Sequence, residues 1–485
     1  MLYACMMSFS VITLQWYLWG YSLAFSDTAT NGFIGDWKKI GLMRTLAHPS
    51  PGSPLIPELL YAFYQVSRHT SLKCHEADHA CLQMMFCATT AAITIGAVAE
   101  RGRLVPALVF IFCWATLVYC PIAYWAWGFN GWAYSWGVMD YAGGGPVEIG
   151  SGLSALAYSL VLGRRQEKMM LNFRPHNVSM VTLGTVFLWF GWLGFNGGSS
   201  FGANLRAVMA CWNSNLTAMF AAMTLCLLDY RLAKKWSMVG WCSGTISGLV
   251  AATPASGYLP PWASVILGIV TGIVANFSTK IKYWVKIDDS MDVFAEHGIA
   301  GIVGLLFNGI FGAEYIIGLD GVNTGAIPGG WIEQNWKQMY VQIAYIAACC
   351  GWAFAMSALI AFGINYIPGL HLRASEEAEL LGMDDDQLGE FAYDYVEVRR
   401  DYLAWTPPTG DRRGKDEEIS AADRHGISEH QQMIMGESPS NSDTGSRHDG
   451  IGKSAKPYIC KLLLTRRTGG DRHGVQAEKE MRGVE

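Results

Sequence analysis

Two short polar stretches inside apolar segments carry the side chains with the most obvious chemistry. Residues 139–152 read MDYAGGGPVEIGSG and contain Glu148, and residues 292–301 read DVFAEHGIAG and contain His297. Each of these residues begins a long run of small and apolar residues that is typical of a membrane span. An ionisable side chain inside a span costs roughly 2.5–3.5 kcal/mol on insertion scales, so its default interpretation is a polar pathway. The sequence therefore predicts that function lies between Glu148 and His297.

Each of the two residues also has a purely structural interpretation. A lone buried His is usually a hydrogen-bonded core residue, and a lone buried Glu can be satisfied by helix amides. Because both occur in Gly-rich spans that begin after a loop, a shared pore-lining role is favoured. If they lie close together, they titrate as a coupled pair rather than as two independent groups.

Aromatic and hydroxyl side chains near the ends of predicted spans suit a small cation, because an aromatic face attracts a cation by ~0.5–2 kcal/mol. They are Phe86, Trp125, Trp127, Trp192, Phe195 and Ser199. The alternative is an interfacial aromatic belt, which is the favoured interpretation of an arbitrary Trp. The segment from Trp192 to Ser199 argues against it, because aromatic, small and hydroxyl residues meet there in one turn-like stretch. Asp140 precedes the helix of Glu148, where geometry favours a helix cap over a cation-stabilising role.

The composition is that of an all-α polytopic membrane protein. The chain has 485 residues, 51% hydrophobic and 15% charged, against about 25% charged in soluble domains. A span needs about 20 apolar residues, and the apolar runs lack the period-two alternation of barrel strands. About ten candidate spans follow: 2–25, 57–65 with 83–98, 105–127, 146–163, 179–198, 206–228, 238–253, 261–277, 294–313 and 338–367.

Basic residues occur in every second loop between these spans. They are Arg101 and Arg103; Arg164, Arg165 and Lys168; Arg231, Lys234 and Lys235; and Lys280, Lys282 and Lys286. The positive-inside rule makes these loops and the C-terminal tail cytoplasmic. The loop 26–56, with Lys38, Lys39 and Arg44, is a mild exception.

Several function classes lack their signatures. The sequence has no nucleotide-binding Gly-rich loop, no metal-ligand cluster of recognised spacing and no nucleophile–base pattern of a hydrolytic enzyme. The twelve Cys lie mostly in spans or predicted cytoplasmic regions, so they do not indicate a disulfide framework. We therefore expect a protein that is not an enzyme, with no cofactor, no metal site and no nucleic-acid partner.

Three regions are predicted along the chain. Residues 1–370 are expected to form one transmembrane domain. Residues 371–405 form an acidic segment that we expect to dock on its cytoplasmic face. Residues 406–485, rich in Pro, Gly, Ser, His and charge, are predicted to be disordered.

Several motifs resemble the ammonium transporter/methylammonium permease/Rhesus family. They are Asp140-Tyr-Ala-Gly-Gly with Ser151-Gly-Leu-Ser-Ala-Leu, Phe190-Gly-Trp-Leu-Gly-Phe-Asn-Gly-Gly-Ser, and Asp292-Val-Phe-Ala-Glu-His-Gly. The resemblance runs in order from about Ser8 to about Tyr402. The stretches 30–35 and 380–384 resemble the fungal permease branch.

This resemblance implies a homotrimer with one pore per subunit that carries ammonium and methylammonium across the plasma membrane. Trp127, Ser199 and Phe86 would form the outer recruitment site, supported by the buried carboxylate of Asp140. Phe86 and Phe195 would form a stacked aromatic gate. Glu148 and His297 would occupy the family's paired-histidine positions, and we expect Trp192 to line the same pore.

Glu148 departs from the family pattern, because most relatives have His at that position. A Glu there resembles a subgroup of fungal permeases that is usually linked to lower affinity and higher capacity. A narrow apolar pore makes ammonium shed its water and its proton. We therefore hypothesise deprotonation near the outer site, passage of ammonia, and proton movement assisted by Glu148 and His297.

Two further departures concern the chain itself. Family members have about eleven spans, and this chain opens in what resembles the second. Residues 66–83 are polar and interrupt a predicted span; without them, residues 61–65 join 84–90 in a continuous apolar helix. We interpret 66–83 as a retained intron and the absent span as a missed upstream exon; the alternative for 66–83 is a genuine His/Cys loop that binds metal.

Two other functions compete with transport. One is an ammonium sensor that signals through the acidic segment and the tail. The other is an inactive product of a faulty gene model.

Overall fold

The computed structural model describes residues 1–46, 48–50, 57–62, 83–167, 170, 175, 177–321 and 327–390. Three of the regions predicted from sequence therefore lie outside the described residues. They are the insertion as far as residue 82, the end of the acidic segment from residue 391, and the whole tail 406–485.

Helices dominate the described chain, whose β structure is limited to two isolated bridges. The α-helices are α1 Leu2–Gln15, α2 Tyr21–Phe25, α3 Glu58–Ala62, α4 Gln83–Gly96, α5 Leu104–Trp114, α6 Cys120–Trp127, α7 Trp132–Trp136, α8 Gly150–Leu162, α9 Val178–Gly198, α10 Leu205–Ala233, α11 Met238–Ala255, α12 Pro261–Ser278, α13 Ile281–Val285, α14 Ala300–Phe311, α15 Glu314–Ile317, α16 Lys337–Asn365, α17 Glu376–Leu381 and α18 Met383–Leu388. Four π-helical turns adjoin them: Trp16–Gly20, Ala115–Tyr119, Gly144–Ile149 and Phe294–Ile299.

Seven helical stretches in the described residues are long and apolar enough to cross a membrane. They are Leu104–Trp136, Gly144–Leu162, Val178–Gly198, Leu205–Ala233, Pro261–Val285, Phe294–Phe311 and Lys337–Asn365. Three predicted spans are mainly helical in their described residues but are not in this set. They are 2–25, 57–65 with 83–98, and 238–253. The helix of the last of these, α11, is rich in Ser, Thr and Gly and mostly buried by its neighbours, so it does not need an apolar surface. The protein is an all-helical polytopic membrane protein.

Short polar side chains start several of these helices. Asn177, Asn204 and Ser237 are N-caps that accept a hydrogen bond from the backbone N–H three residues later. The prediction of a turn-like segment from Trp192 to Ser199 is wrong, because α9 stays helical through Gly198. Residues 192, 195 and 199 are spaced by three and four, so the helix places them on one face.

The two predicted pore segments approach each other through glycine. Glu148 lies in the π-helical turn before α8, and His297 lies in the one before α14. A Cβ atom on Gly152 would overlap the backbone N and Cα atoms of Gly298. A Cβ atom on Gly301 would lie 2.6 Å from the Cβ of Glu148. Only glycine permits the two segments to approach this closely, and their close approach brings Glu148 and His297 together.

We call the predicted cytoplasmic side of the protein the basic face. On this face, ion pairs between Arg101, Arg165 and Asp288 join neighbouring loops. The guanidinium of Arg101, fully buried, donates hydrogen bonds to the carbonyl oxygens of Gly163 and Asp288. Arg165 donates to both carboxylate oxygens of Asp288 at 2.8–2.9 Å. Burial acts to raise the pKa of Asp288, but the hydrogen bonds and charges of Arg165 and Arg101 lower it to about 2. Hydrogen bonds between charged groups therefore join these loops.

The described part of the acidic segment contacts the same loops. The N–H of Arg103 donates to the carbonyl of Leu372, and the N–H of Ala374 donates to the carbonyl of Arg101. Arg373 forms an ion pair with Glu379 at 2.6 Å. Residues 372–379 thus bind the loop that follows α4.

Lys39 accounts for part of the exception in loop 26–56. Its side chain is 6% exposed and pairs with Glu58 and Asp27. The hydroxyl of Tyr21 also donates to Glu58, at 2.8 Å. The charge of Lys39 is therefore neutralised inside the protein, where it has little influence on topology.

We expect Gly152→Ala to lower the thermal unfolding midpoint in detergent, because overpacking a tight contact costs about 1–3 kcal/mol. Gly363→Ala is the matched control, because nothing lies within 4 Å of its Cβ position in α16 and alanine favours a helix by about 1 kcal/mol. Equal midpoints for the two variants would contradict the crossing described here.

Candidate functional site

Glu148 and His297 form a buried pair at the crossing of the two segments. The Glu148 Oε2 and His297 Nδ1 atoms lie 2.9 Å apart. Glu148 is completely buried, and His297 is 8% exposed. The second carboxylate oxygen, Oε1, has no hydrogen-bond partner among the described residues. The pair therefore satisfies only part of its own hydrogen-bonding capacity.

This contact restricts where the imidazole holds its proton. If Glu148 is ionised, its Oε2 accepts the N–H at Nδ1, so the neutral His297 ring has a free lone pair at Nε2. A carboxylate that orients an imidazole in this way also stabilises the imidazolium when Nε2 is protonated. The pair can consequently take up and release a proton without either group leaving its place.

A line of aromatic rings runs from this pair to Trp127. The Trp192 ring lies 6.4 Å from the His297 ring and 5.5 Å from the Phe195 ring, between centroids. Phe195 stacks on Phe86 at 3.8 Å with an interplanar angle of 19°. The Phe86 ring meets Trp127 edge-on at 6.2 Å. The residues predicted as gate and pore are thus consecutive neighbours, and their roles stay predictions.

Trp127 and Ser199 lie at the mouth of this line, in the wall of an outer cavity of about 880 Å³. The indole N–H of Trp127 donates to the carbonyl oxygen of Asp140 at 3.2 Å. The hydroxyl of Ser199 donates to the carbonyl oxygen of Phe195 at 2.9 Å. Because Ser199 uses its only proton there, its oxygen lone pairs stay available to a donor in the cavity.

Asp140 caps the helix that carries Glu148. Its carboxylate accepts hydrogen bonds from the backbone N–H groups of Gly143, Gly144 and Gly145 and from the hydroxyl of Tyr345, at 2.6–3.0 Å. These four donors engage both carboxylate oxygens, so a direct bond to a cation would compete with them. The carboxyl group fixes the start of the π-helical turn, and Asp140 itself lines the cavity.

Arg206 and Asp320 belong to the cavity wall and were missed from the sequence. Arg206 Nη1 donates to Asp320 Oδ2 at 2.8 Å, and its guanidinium lies about 5 Å from the ring centroids of Tyr141 and Tyr258. The two charges are 114 residues apart, so no local pattern links them. The one available signal was an arginine at the edge of a loop that otherwise lacks basic residues.

The fold and the site define a membrane transporter, in which polar and aromatic side chains lead from an outer cavity to a buried ionisable pair. The chain belongs to the ammonium transporter family: the family profile described as Ammonium Transporter Family matches residues 1–393.

Individual relatives agree with this family assignment. The chain is 55% identical to "Ammonium transporter MEP3" of Saccharomyces cerevisiae over 406 residues, which cover 84% of this chain and 79% of that protein. It is 51% identical to "Ammonium transporter MEP1" of the same yeast over 455 residues, covering 93% and 86%. The crystal structure of Saccharomyces cerevisiae Mep2 superposes with a TM-score of 0.70 at 41% identity, covering 77% of this chain and 82% of that one. The predicted fungal branch of the family is confirmed.

We expect Asp320→Asn to raise the methylammonium concentration that gives half-maximal uptake by about two- to tenfold, because Arg206 is then an uncompensated positive charge beside the cavity. The double variant Arg206→Gln/Asp320→Asn removes both charges and should return toward the unmodified value. A half-saturation unchanged in Asp320→Asn would show that the ion pair has no electrostatic effect on substrate entry.

Proposed function

We propose that this protein carries ammonium and methylammonium across the plasma membrane, as a homotrimer with one pore per subunit. Family membership and the similarity to yeast ammonium transporters support the substrate. The observation that carries the mechanism is the buried Glu148–His297 contact at the end of the aromatic line. In the most apolar 18-residue stretch of α9, only 11% of residues are buried, which leaves its surface to lipid or to another copy.

Recruitment takes place in the outer cavity. Ammonium donates a hydrogen bond to the Ser199 oxygen and lies against the electron-rich face of Trp127, since neither interaction needs those residues to give up their present bonds. Asp140 adds a negative potential from below without leaving the helix amides. The cation is thereby held where its hydration shell can be removed.

Passage beyond this point requires the Phe86 and Phe195 rings to move. Rings stacked at 3.8 Å are in van der Waals contact and leave no gap for a solute. An apolar barrier of this kind opposes the charged ammonium ion much more than neutral ammonia. Transfer of the ammonium proton to water in the outer cavity, before the rings, therefore lowers the cost of passage, because neutral ammonia then crosses the barrier.

Glu148 and His297 then receive the substrate and assist proton movement. The free Oε1 of Glu148 accepts an N–H of ammonia, and the imidazole accepts or returns a proton at Nε2. The usual histidine at position 148 would supply a ring nitrogen, whereas the glutamate supplies a negative charge. This difference favours residence of a positive charge between the two residues.

Uptake of labelled methylammonium by cells that lack their own ammonium transporters tests the proposal. The chain as written is compared with a version without residues 66–83 and with empty cells. Uptake by the chain as written supports transport with the insertion in place. Uptake only after deletion supports the pore and the retained-intron interpretation. No uptake from either version, with both proteins present at the membrane, would reject the transport proposal for this chain.

We expect Glu148→Gln to reduce methylammonium uptake roughly tenfold or more and to change its pH dependence, because the amide cannot take up a proton. Glu314→Gln is the matched control, since it replaces a carboxylate by an amide at an exposed position in α15. Uptake and a pH profile equal to those of the unmodified protein would show that Glu148 has no part in proton movement.

A further inference from the structure

Two basic loops lie side by side on the basic face, and only Lys282 of their basic residues forms an ion pair among the described residues. One comprises the last turn of α10 and the residues after it, 231–237, and the other comprises the residues after α12 together with α13, 279–286. The side chain of Asn276 near the end of α12 donates to Asp229 near the end of α10 at 2.9 Å, so the two loops begin next to each other. Together they carry the lysine surface, which consists of Arg231, Lys234, Lys235, Lys280 and Lys286.

The positive charge of the lysine surface is not neutralised within the described residues. All five side chains are exposed, and none forms an ion pair there. The neighbouring acidic groups are engaged elsewhere, Asp229 by Asn276 and Asp292 by Lys282. Arg101 and Arg165 differ from this group, because they are buried and bonded to protein groups. The positive-inside rule requires basic residues on this face, but it does not require that some are bonded to protein groups and others are exposed without an ion pair.

Backbone geometry gives no reason for lysine at two of these positions. Lys234 and Lys286 end α10 and α13 with positive φ angles of 53° and 56°. Glycine is the usual residue at such a helix end, because a Cβ atom makes this conformation unfavourable. A cation does interact favourably with the helix dipole there. Lysine thus places a charge where the backbone prefers glycine.

Large exposed aromatic side chains lie in the same two segments as the lysine surface. Trp236 is 68% exposed, Tyr283 71% and Trp284 80%. Trp and Tyr prefer the headgroup level of a bilayer, where an amphipathic ring contacts both acyl chains and water. Lysine clusters immediately cytoplasmic of a span attract anionic lipid headgroups. The combination fits a lipid surface better than an acidic segment of a second copy, which offers no apolar layer for the tryptophans.

We propose that these two loops bind the phosphate-bearing headgroup of an anionic phospholipid in the adjacent leaflet. The lysines and Arg231 contact the headgroup charge, and Trp236 and Trp284 enter the interface beside it. This site is separate from the pore and does not depend on which solute the pore carries.

The full chain, reconstituted in phosphatidylcholine vesicles with spin-labelled phosphatidylserine or spin-labelled phosphatidylcholine, provides the test. Electron paramagnetic resonance gives the fraction of each lipid that the protein immobilises. We expect a preference for phosphatidylserine that falls as salt rises from about 0.05 M to about 0.5 M. In Lys234→Gln/Lys235→Gln/Lys286→Gln the preference should fall at least about fivefold.

Two further variants separate this site from net charge and from misfolding. The control Lys38→Gln/Arg44→Gln/Arg164→Gln removes the same number of exposed charges elsewhere and should keep the preference. Replacement of Lys234, Lys235 and Lys286 by Arg retains the charge and should also keep it. A preference that is insensitive to salt, or that the control loses equally, would overturn the proposal. So would a glutamine variant that changes only the oligomeric state, since the lysine surface would then be an interface between copies.

Discussion

A carboxyl group and an imidazole 2.9 Å apart, both buried between apolar helices, set the main constraint on this structure. Neither group is stable alone at that depth, because a buried charge or unbonded polar atom is costly. Each is the hydrogen-bond partner of the other. The helices must therefore deliver Glu148 and His297 to one point, and must keep bulk water away from it.

The positions of Glu148 and His297 depend on two local features that reinforce each other. Gly152 and Gly298 let the segments touch through their backbones, which no larger residue would allow. The Asp140 carboxylate binds three successive backbone N–H groups and so fixes the π-helical turn that contains Glu148. The stacked rings of Phe86 and Phe195 then cover the pair on the cavity side. Loss of any of these contacts changes the geometry of the pair itself.

The sequence predicted what depends on polarity and on neighbouring residues. Apolar runs gave the helical membrane fold, and an ionisable residue at the start of such a run marked Glu148 and His297. Asp140 was favoured as a cap because a carboxylate before a helix is a local signal. The stretch from Trp192 to Ser199 was misassigned as a turn, since its two consecutive glycines and polar residues resemble a loop. The low apolarity of α11 does not reveal that the helix is mostly buried, because burial by neighbouring helices cannot be read from a local pattern.

Contacts between distant residues could not be predicted in the same way. Arg206 and Asp320 are 114 residues apart, and Tyr345 reaches Asp140 across 205 residues. Each pair depends on how distant segments pack, and no local pattern links one partner to the other. The family resemblance placed Phe86 beside Phe195, whereas periodicity alone would not have done so.

A double-mutant cycle on methylammonium uptake tests the central claim, that Glu148 and His297 act as one unit. Initial rates are compared for Glu148→Gln, His297→Gln, the double variant and the unmodified chain, each normalised to protein at the membrane. The account predicts that the double variant is little slower than the slower single variant, with a coupling energy of about 1–3 kcal/mol. Effects that add to within about 0.5 kcal/mol would contradict it, because residues that act independently behave in that way.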